Sequence, residues 1–340
     1  MAHELSFING IAEFAYLTGT PVWHGFGQAI PEDQAHNIDA WLYASNMGNW
    51  SIKTAPVLAY DADDDELITF DGRKLLYRSD TKQPLADVGY GYNVVQPSEI
   101  VRFFEQLINT MGFKMVTAGV LFGGRKFWAQ ADIGSPVSIL GQERVEGNLL
   151  LATSCDGSMK TRAQYTTTCV VCNNTLRMAT ASDSNSVELS HAGAFDAYQV
   201  KEALELKPEA MLKWQKLAEQ MAAIKLSQKQ AGDFFDKIFN GQLAIPEDGG
   251  LILPEQLDLM IAERSNTHID TCLNLFSGQG MGMNLSGRDH TLWGAVNSVT
   301  EYIDHWRKTK TMAARIDRAW FGDGANFKDQ AWDEAVLMAA

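Results

Sequence analysis

Cysteine is scarce: four residues in 340, at positions 155, 169, 172 and 272. That is too few for a disulfide scaffold. No uncharged apolar run approaches the roughly 18 residues that a membrane-spanning helix needs. The opening Met1-Ala2-His3-Glu4-Leu5-Ser6 has no basic stretch leading into an apolar one, so no signal peptide is expected. Solenoid-period repeats and low-complexity tracts are missing as well. These absences predict a cytoplasmic protein with reduced thiols and no membrane association.

What is present reads as globular. Hydrophobic residues make up 46% of the chain and charged residues 21%, outside the disordered range. Nine tryptophans are spread from Trp23 to Trp332, and such large side chains belong mostly to cores and interfaces. The net charge of −14 counts against a nucleic-acid coat protein. Its distribution is uneven. Residues 1–100 hold 5 basic and 14 acidic side chains (net −9), residues 101–180 hold 8 and 5 (net +3), and residues 181–340 hold 15 and 23 (net −8). A basic centre within an acidic chain is a focused field that a groove could use.

The patterning predicts an α+β fold: a central antiparallel β-sheet with a β-β-β-α core, flanked by helices and followed by a helical C-terminal part. The first forty residues read as loops, and a short helix is expected from Asp39 to Met47. Strands are expected over 50–60 and 74–79, joined by an acidic turn that ends at Asp71-Gly72. Pro97 opens a helix to Met111 with an apolar stripe of Ile100, Phe103, Phe104, Leu107 and Ile108. Further strands are predicted over 114–122, 125–133, 145–155 and 161–171, with turns at Gly123-Gly124 and Asp156-Gly157. Asn173 and Asn174 then read as the cap of a helix through Leu176, Arg177, Met178 and Ala179. Downstream come two helices within 194–240 around Pro208, a helix over 255–276, a Gly-rich loop, one long helix over 291–318 and a last helix from Asn326. These segments group as 1–90, 91–195 and 196–340, and the pattern is equally compatible with one domain.

No catalytic or metal constellation assembles, so no cofactor and no enzyme activity are expected. Cys169-Val-Val-Cys172 lacks a second ligand pair and lies in a β-rich run, where buried structural thiols are the ordinary outcome. His24 has no paired nucleophile. Glu301 and His305 share a helix face, four residues apart, and a satisfied polar network is the ordinary reading for them; a metal-dependent hydrolase would need further ligands. Gly278-Gln-Gly-Met-Gly follows no convincing strand and lacks the lysine of a phosphate loop.

Two basic clusters remain. One is Arg125, Lys126, Lys160, Arg162 and Arg177 around the predicted sheet, with Trp128 and Tyr165 near in sequence. The other is Arg307, Lys308, Lys310, Arg315 and Arg318 beside Trp306 on the predicted long helix. Cations next to aromatics suit a single strand, because charge holds the backbone and stacking holds the bases. A solvated helix face is the ordinary alternative.

Several segments carry a family resemblance: Pro21-Val-Trp23-His24-Gly25-Phe-Gly, Gly89-Tyr-Gly-Tyr-Asn-Val-Val95, Thr153-Ser-Cys-Asp-Gly-Ser158, Val170-Val-Cys-Asn173-Asn174-Thr-Leu and Trp293-Gly-Ala-Val-Asn297-Ser-Val-Thr-Glu301-Tyr-Ile-Asp-His305. In this order they resemble the phage/plasmid-like protein family, which carries a large domain of unknown function. The chain departs from the usual Pro-Trp-His-Gly by one inserted residue, Val22. A more distant similarity, of element order alone, is to phage single-strand annealing proteins built on a β-β-β-α unit. The resemblance implies a mobile-element origin and, through annealing proteins, an oligomer on single-stranded DNA. The expectation is therefore a non-enzymatic homo-oligomer that binds single-stranded DNA and promotes annealing. The alternative from another class is a phage or plasmid factor that binds a host or phage protein, such as a defence protein, without DNA affinity.

Overall fold

The computed structural model describes residues 6–19, 27–134, 136–169, 172–175, 186–192, 196, 209–240, 267–285 and 287–340. It has the expected α+β character, with a large antiparallel-rich sheet and helices at the C-terminus.

The N-terminal segment is more ordered than its loop-like composition implies. It contributes β1 (Phe7–Ile8), β2 (Ile11–Ala12), β3 (Phe14–Leu17) and β4 (Gln28–Ile30). Strand β3 enters the central sheet because its apolar side chains Phe14, Ala15 and Leu17 are all buried. Helix α1 (Ile38–Ala44) begins one residue before the expected start, since Asn37 caps it by accepting from the Ala40 N–H. Next come β5 (Ile52–Asp61), β6 (Glu66–Arg78) and β7 (Pro84–Gly89), a three-stranded sheet in that order. Here the acidic turn lies at Asp63–Asp65, and Asp71-Gly72 stand inside β6, opposite a bulge between Pro56 and Leu58. An unbroken strand pairing on both sides of the bulge outweighs the turn propensity of Asp-Gly.

Helix α2 (Pro97–Met111) matches expectation at both ends. The Glu99 carboxylate accepts from the Gln96 N–H at 2.6 Å, and Gly112 closes the helix in the left-handed region at φ 70°. Its stripe of Ile100, Phe103, Phe104, Leu107 and Ile108 is fully buried, each large side chain stabilising by roughly 1.5–3 kcal/mol.

The central sheet adds β8 (Lys114–Leu121), β9 (Lys126–Asp132), β10 (Val137–Ile139), β11 (Glu143–Ser154), β12 (Thr161–Cys169), β13 (Cys172–Thr175) and β14 (Ser186–Leu189). Its main path runs β13-β12-β11-β9-β8-β3-β4, with β10 also on β11 and β14 also on β12. Asn173 and Asn174 therefore do not cap a helix. They continue the chain as a strand, with Thr168 opposite Asn173 and Thr167 opposite Asn174. Pairing with the threonine-rich β12 wins over capping propensity at this point. The helix expected from 176 lies outside the described residues.

Alternation gives the sheet two distinct faces. Phe127, Ala129 and Ala131 point into the larger core with α2, whereas Trp128 belongs to a second cluster with Phe14, Leu121, Leu150, Ala152 and Ile316. Gly119 makes room for this tryptophan: a Cβ there would lie 2.5 Å from the indole.

In the C-terminal part, α3 (Glu209–Ala223) and α4 (Gln228–Asn240) both follow Pro208. Residues 267–274 are helical, and of the expected 255–276 helix the rest up to 266 lies outside the described residues. The single long helix expected over 291–318 is instead α5 (Leu292–Glu301), a wide turn over 302–306, a connecting segment, and α6 (Met312–Phe321). Thr311 provides a new start, its hydroxyl accepting from the Ala314 N–H at 3.1 Å. Lys308 and Lys310 consequently sit in a connection and not on a helix. Helix α7 (Asp323–Ala339) completes the chain.

Candidate nucleic-acid interface

Helix α6 lies against the Trp128 face of the sheet. Trp320 meets Trp128 edge-on with ring centroids 5.7 Å apart, and Ile316 joins the same cluster. One turn along, Asp317 receives the Lys126 ammonium at 2.5 Å. Lys126 of the first basic cluster thus meets the helix that carries Arg315 and Arg318 of the second, almost two hundred residues away in sequence.

Sheet register positions the first cluster. Lys126 is opposite Ser154, Trp128 opposite Ala152, and Ala152 opposite Arg162, so Lys126 and Arg162 share a face. Lys160 and Arg162 both bind Glu188 of β14, at 3.2 Å from the Lys160 Nζ and 3.0 Å from the Arg162 Nε. The hydrogen bond from Arg162 holds the Glu188 carboxyl below its ordinary value, with the Lys160 and Arg162 charges acting the same way. Arg125 is exposed, donates Nε–H to the Phe122 carbonyl at 3.2 Å, and has no ion pair among the described residues. Arg177 lies outside the described residues.

In the second cluster Arg307 is engaged by Asp323 at 2.7 Å. Burial is the largest influence on Asp323 and pushes its pKa up, yet the Arg307 hydrogen bond and charge outweigh it and leave the carboxyl lowered. Arg315 donates to the His305 carbonyl at 2.8 Å and folds the connection back against the start of α6. Lys308, Lys310 and Arg318 are exposed; Lys308 and Lys310 have no acidic partner among the described residues, whereas the Arg318 charge also acts on Asp323. Trp306 beside them is 54% exposed, with its indole N–H fixed by Glu301 at 3.0 Å. The structure thus leaves Arg125, Lys308 and Lys310 without an acidic partner among the described residues, and sets Lys126, Lys160, Arg162, Arg307 and Arg318 against acids that the sequence does not connect to them. Those acids come from β14 and from the C-terminal helices, so only tertiary pairing reveals them.

The motif segments converge elsewhere. The Tyr92 hydroxyl donates to the Ser154 carbonyl at 3.0 Å, and its ring stacks on His191 at 4.6 Å. The Cys155 N–H donates to the Arg125 carbonyl at 2.9 Å, tying the Thr153–Ser158 motif to the start of β9. Burial pushes the Cys155 thiol up to about 12, which leaves it unionised and inert.

Trp293, Asn297 and Glu301 are buried on α5. The Trp293 indole and Arg288 both bind Glu143, the latter through two N–H groups, and Asn297 donates to the Trp293 carbonyl at 2.8 Å. Glu301 accepts from the Met281 N–H at 2.8 Å and the Trp306 indole, so it organises the glycine-rich loop. His305, half-buried, offers its carbonyl to Arg315. Trp23, His24 and Gly25 lie outside the described residues. Among the described residues no three His, Cys, Asp or Glu side chains come together as a metal site, and no helix is long and apolar enough to cross a membrane.

Compared with curated proteins and with solved structures, the chain matches none of them. Residues 84–320, well over half of the chain, match the family described as Domain of unknown function (DUF932), and the chain belongs to that family.

Proposed function

We propose that this protein binds single-stranded DNA on the surface where the start of β9 meets α6 and the connection before it. The observation that carries this reading is the Lys126–Asp317 contact, because it joins the Arg125 region to the helix bearing Arg318. In this reading Arg125, Lys308, Lys310 and Arg318 hold phosphates, and the exposed Trp306 offers a stacking face. Lys160 and Arg162 share one carboxylate and together supply one net positive charge. The antiparallel-rich sheet, with helices packed against it and basic residues at the start of β9, is compatible with strand annealing by a phage or plasmid protein, and that activity is part of the proposal. Charge held against phosphate is screened by salt, so replacing Lys308 and Lys310 by Glu weakens binding and lowers the salt slope by roughly 0.7 for each phosphate no longer neutralised. Unchanged affinity and slope in the double variant would move the site elsewhere.

A second reading is favoured by the ion pairs themselves. Lys126 and Arg307 are each neutralised by an acid, Lys160 and Arg162 share one, and the whole chain carries −14. A phage or plasmid factor that binds a host protein would need no free cations. Such a factor shows no DNA affinity at physiological salt.

A further inference from the structure

The hairpin of β5 and β6 is the least covered part of the described fold. Beyond the bulge at Pro56/Leu58 it continues as a two-stranded ribbon, pairing Leu58 with Thr69, Ala59 with Ile68, Tyr60 with Leu67 and Asp61 with Glu66. Strand β7 pairs only with residues 73–77 of β6, so the distal ribbon has no third strand among the described residues. Its side chains are unusual for such a position. Tyr60 is 62% and Leu67 63% exposed, with Leu58 exposed beside them on one face, and Ile68 and Phe70 exposed on the other. The tip carries Asp61, Asp63, Asp64, Asp65 and Glu66, and is shaped by the Tyr60 hydroxyl donating to Asp65 at 2.6 Å.

Two-stranded ribbons are marginal in water on their own, and clustered apolar side chains on a projecting edge mark an interaction surface. The tip is strongly anionic, so its partner surface is cationic and offers apolar area. This chain has such a surface: Lys308 and Lys310, exposed and without acidic partners among the described residues, follow the exposed Trp306 within four positions. We propose that the β5–β6 arm of one copy docks on the 306–310 segment of a second copy, its acidic tip on the two lysines and its apolar side chains against Trp306. The contact joins two different patches, so it is heterologous and builds a ring or a filament. It stands whether or not the same lysines take a nucleic acid. If they do, as the DNA reading holds, arm and single strand exclude each other.

Charge reversal tests the docking. The arm variant carries Asp63→Lys, Asp64→Lys and Glu66→Lys; the segment variant carries Lys308→Glu and Lys310→Glu. All five positions are exposed and outside the core. Sedimentation of the full chain at low salt is expected to show assemblies of the wild type that dissociate at high salt. Each variant alone is expected to sediment as a monomer, and an equimolar mixture of the two to reassemble, because each supplies the charge that the other now needs. Leu67→Ser, which leaves the charges intact, is expected to weaken assembly of the wild type. A wild type that is monomeric at low salt, an arm variant that keeps the wild-type mass, or a mixture that stays monomeric would each overturn the proposal. Oligonucleotide binding measured on the same samples reads the DNA proposal separately.

Discussion

Lys126 at the start of β9 and Asp317 on α6 are in contact at 2.5 Å, 191 positions apart in sequence. Asp317 therefore does two things: it fastens α6 to the sheet and cancels a charge beside the proposed DNA surface. Asp317→Asn frees Lys126 for a phosphate. The expected result is tighter single-strand binding at low salt and a salt slope steeper by about 0.7, read by titrating a labelled oligonucleotide at several salt concentrations. A modest loss of stability accompanies it, since one partly exposed ion pair contributes on the order of 1 kcal/mol or less.

The Glu143–Arg288 pair should dominate the mutational sensitivity of the C-terminal half. Both groups are almost fully buried, and Glu143 also accepts from the Trp293 indole at 3.0 Å. Arg288→Met leaves an uncompensated buried carboxylate and is expected to cost about 3–5 kcal/mol in chemical denaturation. Adding Glu143→Gln to that variant recovers part of the loss, and this non-additivity is the signature of a direct pair.

Two glycines make a matched test of close packing. A Cβ at Gly294 would lie 2.0 Å from the Arg288 carbonyl oxygen, so Gly294→Ala forces the start of α5 away from the preceding turn and destabilises by several kcal/mol. Gly232 on α4 has nothing within 4 Å of that position. Gly232→Ala removes the conformational cost of a helical glycine and stabilises by up to ~1 kcal/mol. Thermal melts of the two variants should move in opposite directions.

Acid should loosen three ion pairs: Glu188 with Arg162 and Lys160, Asp323 with Arg307, and Asp80 with Arg78, the last at 2.9 Å. Glu188, Asp323 and Asp80 all have carboxyls held below their ordinary values; burial pushes Asp80 upward most strongly, but its hydrogen bonds and the Arg78 charge prevail. Each binds its proton more weakly folded than unfolded. The stability they contribute is complete above the unfolded values near pH 4 and is lost as pH falls through the lowered folded ones. Denaturant midpoints are therefore expected to be flat from neutrality to about pH 5 and to drop below pH 4. Glu188→Gln should flatten part of that drop.

Buried thiols give a readout of native packing. In a variant with Cys169 and Cys172 replaced by Ser, Cys155 and Cys272 are expected to resist alkylation until the chain is unfolded, because both are buried and burial raises both pKa values.

The sequence made some of this legible for physical reasons. Helix α2 could be read closely, since Pro97 marks its start and a clean apolar stripe runs from there towards Met111. Strands β8, β9, β11 and β12 followed from alternation and from the Gly123-Gly124 and Asp156-Gly157 turns. Where local signals competed with long-range pairing, the reading failed. Asn173-Asn174 has capping chemistry but pairs with Thr167 and Thr168, and the helix expected across 291–318 breaks at a connection that Thr311 ends by capping α6. The basic residues were visible, yet their partners Glu188, Asp317 and Asp323 were not, because each approaches through the fold. Which cations remain uncompensated is a tertiary property.

The measurement that bears most directly on the proposed function is fluorescence anisotropy with labelled single- and double-stranded oligonucleotides, titrated at low and at physiological salt. Binding that favours the single strand, falls steeply with salt and is lost in the Lys308→Glu, Lys310→Glu variant is the predicted result. No binding at low salt, by the wild type or by the arm variant whose tip no longer carries its acidic charge, would contradict it and leave the protein-binding reading in its place.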